Sequence, residues 1–136
     1  MRLAAILLLL LPSLAIAESW AVVSGRSYHF ERDGQREWNW GVGIEREVNE
    51  RWRWLAGGYN NSSGDASFYT AVAYLPWRFW GARAGAILGG VTGYANHDPS
   101  ALGGLALSLD GKTQGVNVLF VPAAGGLLFL QLKIRY

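Results

Sequence analysis

The last stretch of the chain alternates. Leu128, Leu130, Leu132, Ile134 and Tyr136 fall on one face of an extended backbone, and Phe129, Gln131, Lys133 and Arg135 on the other. Successive side chains of a strand point to opposite faces, so this is the pattern of a strand lying between an apolar and a polar environment. Val116, Val118 and Phe120 alternate in the same way with Gly115, Asn117 and Leu119. The same reading along the chain predicts eight extended segments, over residues 20–30, 36–47, 51–60, 66–74, 82–94, 102–109, 113–121 and 127–136. Turns are expected between them at 31–34, 48–50, 61–65, 76–80, 96–100, 110–112 and 122–126, where Gly, Pro, Asn and Asp collect. Segments of ~9–11 residues are the length that crosses a bilayer at a tilt. The expected fold is all-β, an eight-stranded antiparallel up-and-down transmembrane β-barrel. A soluble sandwich or lipocalin-like barrel also alternates. The final strand favours the membrane barrel, because an apolar face ending on a terminal aromatic resembles the signal that outer-membrane assembly machinery reads.

Composition fits that picture. The chain carries 18 glycines, 7 tryptophans and 6 tyrosines. Aromatics mark the two interfaces of outer-membrane barrels, and glycine suits bends and crowded interior positions. The N-terminus reads as a secretory signal: Arg2, an apolar run over 3–11, and Ala15-Ile16-Ala17 as a small-x-small cleavage site. Residues 1–17 are therefore assigned to the signal and 18–136 to the barrel, located in the bacterial outer membrane. Cysteine is absent. An exported domain this small needs another source of stability than disulfides, and a closed sheet in a membrane is one. No later run of ~18 apolar residues offers a helical anchor. The net charge of +2, with no basic stripe, gives no case for nucleic acid. A closed barrel has no free edge to demand a partner, so a monomer is expected.

An even strand number puts both termini on the periplasmic side. Loops near Arg32, Ser62, His97 and Ala124 are then external, and turns near Asn49, Arg78 and Gly111 periplasmic. Trp77 and Trp80 flank one of the latter, where an aromatic girdle belongs.

Candidate chemistry is sparse. Two histidines and no cysteine are a poor ligand set, so neither a metal nor another cofactor is expected. Gly41-Val42-Gly43 lacks the rest of a phosphate loop and reads as strand glycine. His29 ends the first strand and Ser62 follows the third, so both fall at the external rim. A hydroxyl is a poor nucleophile until a base takes its proton, and histidine suits that task near neutral pH. Such a pair has the means to move an acyl chain between lipids. A rim polar residue and a turn serine account for the same two positions without chemistry.

Several stretches resemble the lipid A palmitoyltransferase (PagP-like) family of eight-stranded outer-membrane barrels. Ser27-Tyr28-His29 resembles the Thr-Trp-His that holds that family's catalytic histidine, and Tyr59-Asn60-Asn61-Ser62 its Phe-Lys-Asp-Ser. Trp40-Gly41-Val42-Gly43 is similar to its Trp-Gly-Gly-Gly-Phe-Gly, Gly90-Val91-Thr92 to its Ala-Gly-Val-Thr-Ala, and Phe120-Val121-Pro122 to its Tyr-Ile-Pro. The closing Leu-Lys-Ile-Arg-Tyr is similar to its Met-Arg-Phe-Gln-Phe. The resemblance implies transfer of an acyl chain from a phospholipid to lipid A in the outer leaflet, with His29, Asn61 and Ser62 as catalytic residues. Asn61 departs from the family, which has a carboxylate there. An amide cannot act as a base, though it can orient a histidine or donate to an oxyanion. Asp65 is a nearby substitute. The family's amphipathic N-terminal helix has no counterpart, since only Glu18 and Ser19 precede the first strand.

The lumen separates the two main readings. An acyl pocket needs small inward residues, and Gly57, Ala71, Ala73, Gly85, Gly89, Gly93 and Ala106 are available. Arg26, Arg46, Arg53 and Glu45 would instead form an internal charge network, as in a closed barrel that is noncatalytic and serves envelope integrity or binds a surface ligand. A soluble lipocalin-like binder is a third reading.

Overall fold

A computed structural model of the chain describes residues 18–29, 38–61, 64–93, 100–122 and 126–136. The expected signal segment lies outside them. Eight strands follow in order: β1 (Ser19–His29), β2 (Trp38–Glu47), β3 (Trp52–Asn60), β4 (Ala66–Phe79), β5 (Ala82–Val91), β6 (Ser100–Asp110), β7 (Gln114–Val121) and β8 (Leu127–Arg135). Each pairs antiparallel with the next, and β8 returns to β1, closing the barrel. The predicted all-β, up-and-down architecture is the one observed.

Alternation holds strand by strand. On β8, Phe129, Gln131 and Lys133 are buried inward while Leu130, Leu132 and Ile134 are exposed outward. The waist of the outer face is aliphatic, with Val42, Val72, Leu88, Leu105 and Leu132 exposed. Exposed aromatics gather near the ends. Trp52, Trp54, Tyr74, Trp77 and Phe79 lie toward the end carrying the termini, and Tyr28, Trp40 and Phe68 toward the opposite, far end. Among the described strand residues, the charges on the outer face are Arg26 and Arg46, one toward each end. Neither joins the internal network expected of it.

The structure departs from the expected elements most clearly in β4. That strand was expected to end at residue 74, with a turn at 76–80. It runs on to Phe79 and turns through Trp80-Gly81, both at positive φ (46° and 75°), as a two-residue hairpin loop with a right-handed twist requires. Pro76 lacks an N–H and would break an ordinary ladder. Here it sits in a bulge, where Leu75 and Pro76 together oppose Gly85 between the pairs Tyr74↔Ala86 and Trp77↔Ala84. A second bulge in β1, between Ser24 and Arg26, explains why Arg26 faces out. Without it, Arg26 would share the inward face of Trp20, Val22 and Ser24.

The bulge in β4 depends on Gly85. A Cβ there would lie 1.8 Å from the Tyr74 carbonyl oxygen, whereas at Gly90 the nearest atom is 3.7 Å away. Gly85→Val is expected to destabilise the barrel by about 2–3 kcal/mol in urea titrations in detergent micelles, with Gly90→Ala within about 0.5 kcal/mol of the parent.

Candidate functional site

The lumen is divided into layers by the residues each strand turns inward. Toward the terminal end, Glu45 of β2, Arg53 of β3, Asp110 of β6 and Lys133 of β8 meet inside the barrel. Glu45 Oε1 accepts hydrogen bonds from Arg53 Nη1 at 2.7 Å and from Lys133 Nζ at 2.8 Å. Its Oε2 accepts one from Asn117 Nδ2 at 2.6 Å. Asp110 accepts from Arg53 Nη2 at 2.5 Å and pairs with Lys133 Nζ at 2.6 Å. Ser108 Oγ accepts from both cations, and Glu47 meets Arg53 at 3.1 Å from the rim. Glu45, Arg53 and Lys133 are each about 1% exposed. Removing such ions from water is costly, and only mutual pairing with full hydrogen bonding offsets it. Two cations meet two carboxylates here, with Glu47 as a third at the rim, so each buried charge has an opposite partner.

Trp20 closes the layer on the terminal side. Its indole is completely buried, with Lys133 Nζ 4.7 Å and the Arg135 guanidinium 4.5 Å from the ring centre. Such contacts favour a cation over the aromatic face. On the far side, Gln131 connects the layer to the apolar part of the lumen. Its Oε1 accepts from Asn117, and its Nε2 lies 3.3 Å from both Ser24 Oγ and the Tyr69 hydroxyl.

Beyond Gln131, the far half is filled by rings and aliphatics. Leu55, Ala71, Ile87, Leu119 and Phe129 form a cluster against which Tyr59, Tyr69 and Leu102 pack. The Tyr59 ring meets Phe129 edge-on at 5.7 Å. The Tyr69 hydroxyl reaches over two glycines of the neighbouring strands, and a Cβ at Gly43 or Gly57 would come within 2.9 Å of it. Of the small residues proposed to make room for a ligand, Gly57 is met by the Tyr69 hydroxyl, Gly85, Gly89 and Gly93 lie against the backbone of β4, and Ala71, Ala73 and Ala106 pack into the core cluster. The cavity bounded by Leu55, Ala73, Leu75, Ile87, Ala106 and Leu119 measures about 10 Å³. That is space for about one water.

The rim residues separate into those the structure places and those it does not describe. The backbone of His29 ends β1 and pairs with Leu127. Its side chain, and the whole of Ser62, lie outside the described residues. Asn61 is fully buried beside the end of β3. Its Nδ2 donates to Ser67 Oγ at 3.1 Å and to the Gly93 carbonyl at 2.8 Å, and its Oδ1 accepts from the Asp65 N–H at 3.0 Å. These bonds fasten the β3–β4 loop to β4 and to the chain leaving β5. A carboxylate cannot donate, so the amide fits this fastening where an aspartate would not. Asp65, the proposed substitute, is exposed.

Sequence reasoning placed Glu45 and Arg53 in an internal network and Lys133 on the lumenal face, and all three are there. It missed Ser108, Asp110 and Asn117 as members of the layer, having read Asp110 as a turn residue. The available signal was parity: Ser108 and Asp110 share a face, as do Asn117 and Leu119. It also missed a buried pair at the far end, where Asn39 Nδ2 donates to Ser27 Oγ. Asn39 precedes the outward-facing Trp40, so parity marks it as inward.

No family model matches the sequence, and a search of curated proteins finds no similar one.

The ion layer makes a measurable demand. Glu45→Gln leaves two buried cations with one carboxylate fewer in contact and is expected to cost about 3 kcal/mol or more of unfolding free energy. Combined with Lys133→Met, the loss should fall short of the sum of the single losses by at least about 1 kcal/mol in a double-mutant cycle. Strict additivity would mean that the two side chains do not interact.

Proposed function

We propose that this chain is a small barrel of the bacterial outer membrane whose lumen is sealed, acting in envelope integrity or in binding a ligand at its exposed rim rather than by chemistry inside the barrel. The observation that carries the reading is the buried ion layer, which occupies the space a substrate channel or acyl pocket would need. Pockets for ligands of that size run to roughly 300 Å³ or more, against the cavity of about 10 Å³ bounded by the described lumen residues. The membrane setting draws its support from the outer face, with an aliphatic waist, aromatics toward both ends and arginines only at the extremes. Membrane lipids are then its surroundings, and the assembly machinery its partner during insertion.

Transmembrane placement is tested at the waist. Leu132, 57% exposed, is the probe. Leu132→Arg should cost about 2–4 kcal/mol in bilayer-folded protein, the usual charge for a lipid-facing arginine at mid-depth. On a soluble barrel the same exposed change would stay within about 0.5 kcal/mol. A cost in that small range, with the protein recovered from the soluble fraction, returns the lipocalin-like reading.

A second reading keeps the activity implied by the resemblance: acyl transfer from phospholipid to lipid A, with Ser62 as nucleophile, His29 as its base and Asn61 holding the loop. One observation favours it. Among the described residues, the β6–β7 ladder ends at Leu105↔Phe120, although β6 continues to Ser100. Unpaired β6 backbone beside the apolar lumen would offer a chain lateral entry. Mass spectrometry of lipid A from cells with and without the protein decides between the readings. Added acyl mass that disappears in His29→Ala and in Ser62→Ala supports the enzyme. An unchanged lipid A profile in cells where the barrel is correctly inserted removes it.

A further inference from the structure

The barrel opens at its terminal end into a polar recess of about 350 Å³, closed on its inner side by Trp20 and the ion layer. Glu18, Glu47, Asp110 and Arg135 line it together with Arg78 and Arg83. The last two stand opposite one another across the β4–β5 ladder, a pairing that like charges disfavour. Arg83 also pairs with Ser108 of the layer across the β5–β6 ladder. Trp77 and Phe79 take the other face of the hairpin. The tip therefore presents its guanidiniums to the recess and its rings to the outside.

The acceptors in the recess are already committed: Glu18 to Arg135, Glu47 to Arg53, and Asp110 to Arg53 and Lys133. Among the described residues, Arg78 makes no ion pair or hydrogen bond, and Arg83 donates only to the Glu50 carbonyl, at 2.7 Å. Recess and layer together hold five cations and four carboxylates, so one positive charge is unmatched. The buried hydrogen-bonding atoms point the same way. Among the described residues four of them lack a partner, and three of the four are N–H donors at this end: Trp20 Nε1, Arg53 Nε and Arg135 Nε. Trp20 pairs across the ladders with Glu45 on one side and Arg135 on the other, and Arg135 lines the recess itself. Buried donors without an acceptor are costly, so a recess rich in donors and poor in uncommitted acceptors favours a ligand that accepts.

We propose that this recess binds the carboxylate of a small, singly charged organic anion from the aqueous compartment on the side of the chain termini. Paired guanidiniums present planar donor forks that match a planar carboxylate. The volume falls within the range of small-molecule pockets, roughly 300–1,000 Å³. Three carboxylates in the same wall repel a dianion, which sets a carboxylate ahead of phosphate. The inference rests on the sealed lumen proposed above, which makes the recess blind, and names a ligand class for its rim. It is independent of whether the far rim is catalytic.

The test titrates the full mature barrel, in uncharged detergent micelles near neutral pH, with para-fluorobenzoate followed by fluorine NMR. Empty micelles are the reference. A dissociation constant of about 1 mM or tighter is expected, with the uncharged para-fluorobenzamide indistinguishable from the reference. Arg78→Gln with Arg83→Gln should weaken binding at least about tenfold, and Arg78→Gln alone about threefold or more. Arg26→Gln, on the outer face toward the far end, should leave binding unchanged. Inorganic phosphate should displace the probe only at severalfold higher concentration. The proposal is overturned by no binding beyond the micelle reference, by equal binding of the amide, or by displacement at an equal concentration of phosphate. It is overturned as well by binding that survives the double substitution or is lost equally in Arg26→Gln. Heat-shifted electrophoretic mobility reports folding of every variant, and Arg78→Gln alone carries the test if the double variant does not fold. A steady ion current through the parent in a planar bilayer removes the sealed lumen and this proposal together. Absent binding in a barrel that carries no current removes the proposal alone.

Discussion

A single carboxylate holds the centre of this molecule. Glu45 accepts from a guanidinium, an ammonium and an amide that come from three other strands, and every one of these groups is shut off from water. In the interior of a narrow barrel such an arrangement is stable only when complete, because an unmatched ion there has no solvent to turn to. The layer therefore does more than fill space. It ties β2, β3, β6, β7 and β8 to one another at one height. Slipping any of these strands by one residue would turn its member outward. The apolar half of the lumen has no comparable means of fixing register, since one aliphatic contact substitutes readily for another.

The aromatic half solves a different problem. Eight strands enclose an interior about as wide as the side chains that fill it. Tyr69 crosses that interior over glycines of two neighbouring strands and brings its hydroxyl to Gln131. The glycines and the tyrosine are one device, in which missing side chains on β2 and β3 accommodate a large one from β4. Composition counted the glycines but could not say which were reserved for a ring and which for a bend.

Much of the fold was legible because each strand separates two environments. Strand number, order and the faces of β7 and β8 follow from alternation alone. Alternation failed where the backbone stepped out of period. Pro76 looked like the start of a turn because proline rarely survives inside a ladder, and the bulge that admits it leaves no mark beyond Gly85. Arg26 was a candidate for the internal network by its charge alone, and the bulge between Ser24 and Arg26 turns it outward. Arg46 is another matter: it adjoins Glu45, and neighbours on one strand cannot both face the lumen, so that assignment was refutable from the sequence. At the rim, the family resemblance implied chemistry for Asn61, while the backbone groups it fastens, those of Asp65 and Gly93, become its neighbours only on folding.

The seam between first and last strands has a consequence for biogenesis. The N–H of Tyr136 donates to the Ser19 carbonyl, and Trp20 pairs with Arg135, so the barrel closes between its first and last strands. No partial chain can satisfy both edges of its sheet. From emergence to completion the polypeptide carries two unsatisfied strand borders and an aliphatic exterior, both prone to aggregation. Contacts this distant in sequence also form slowly. Because β8 pairs with both β1 and β7, a truncation within it would be a failure of folding before it was a loss of any particular contact.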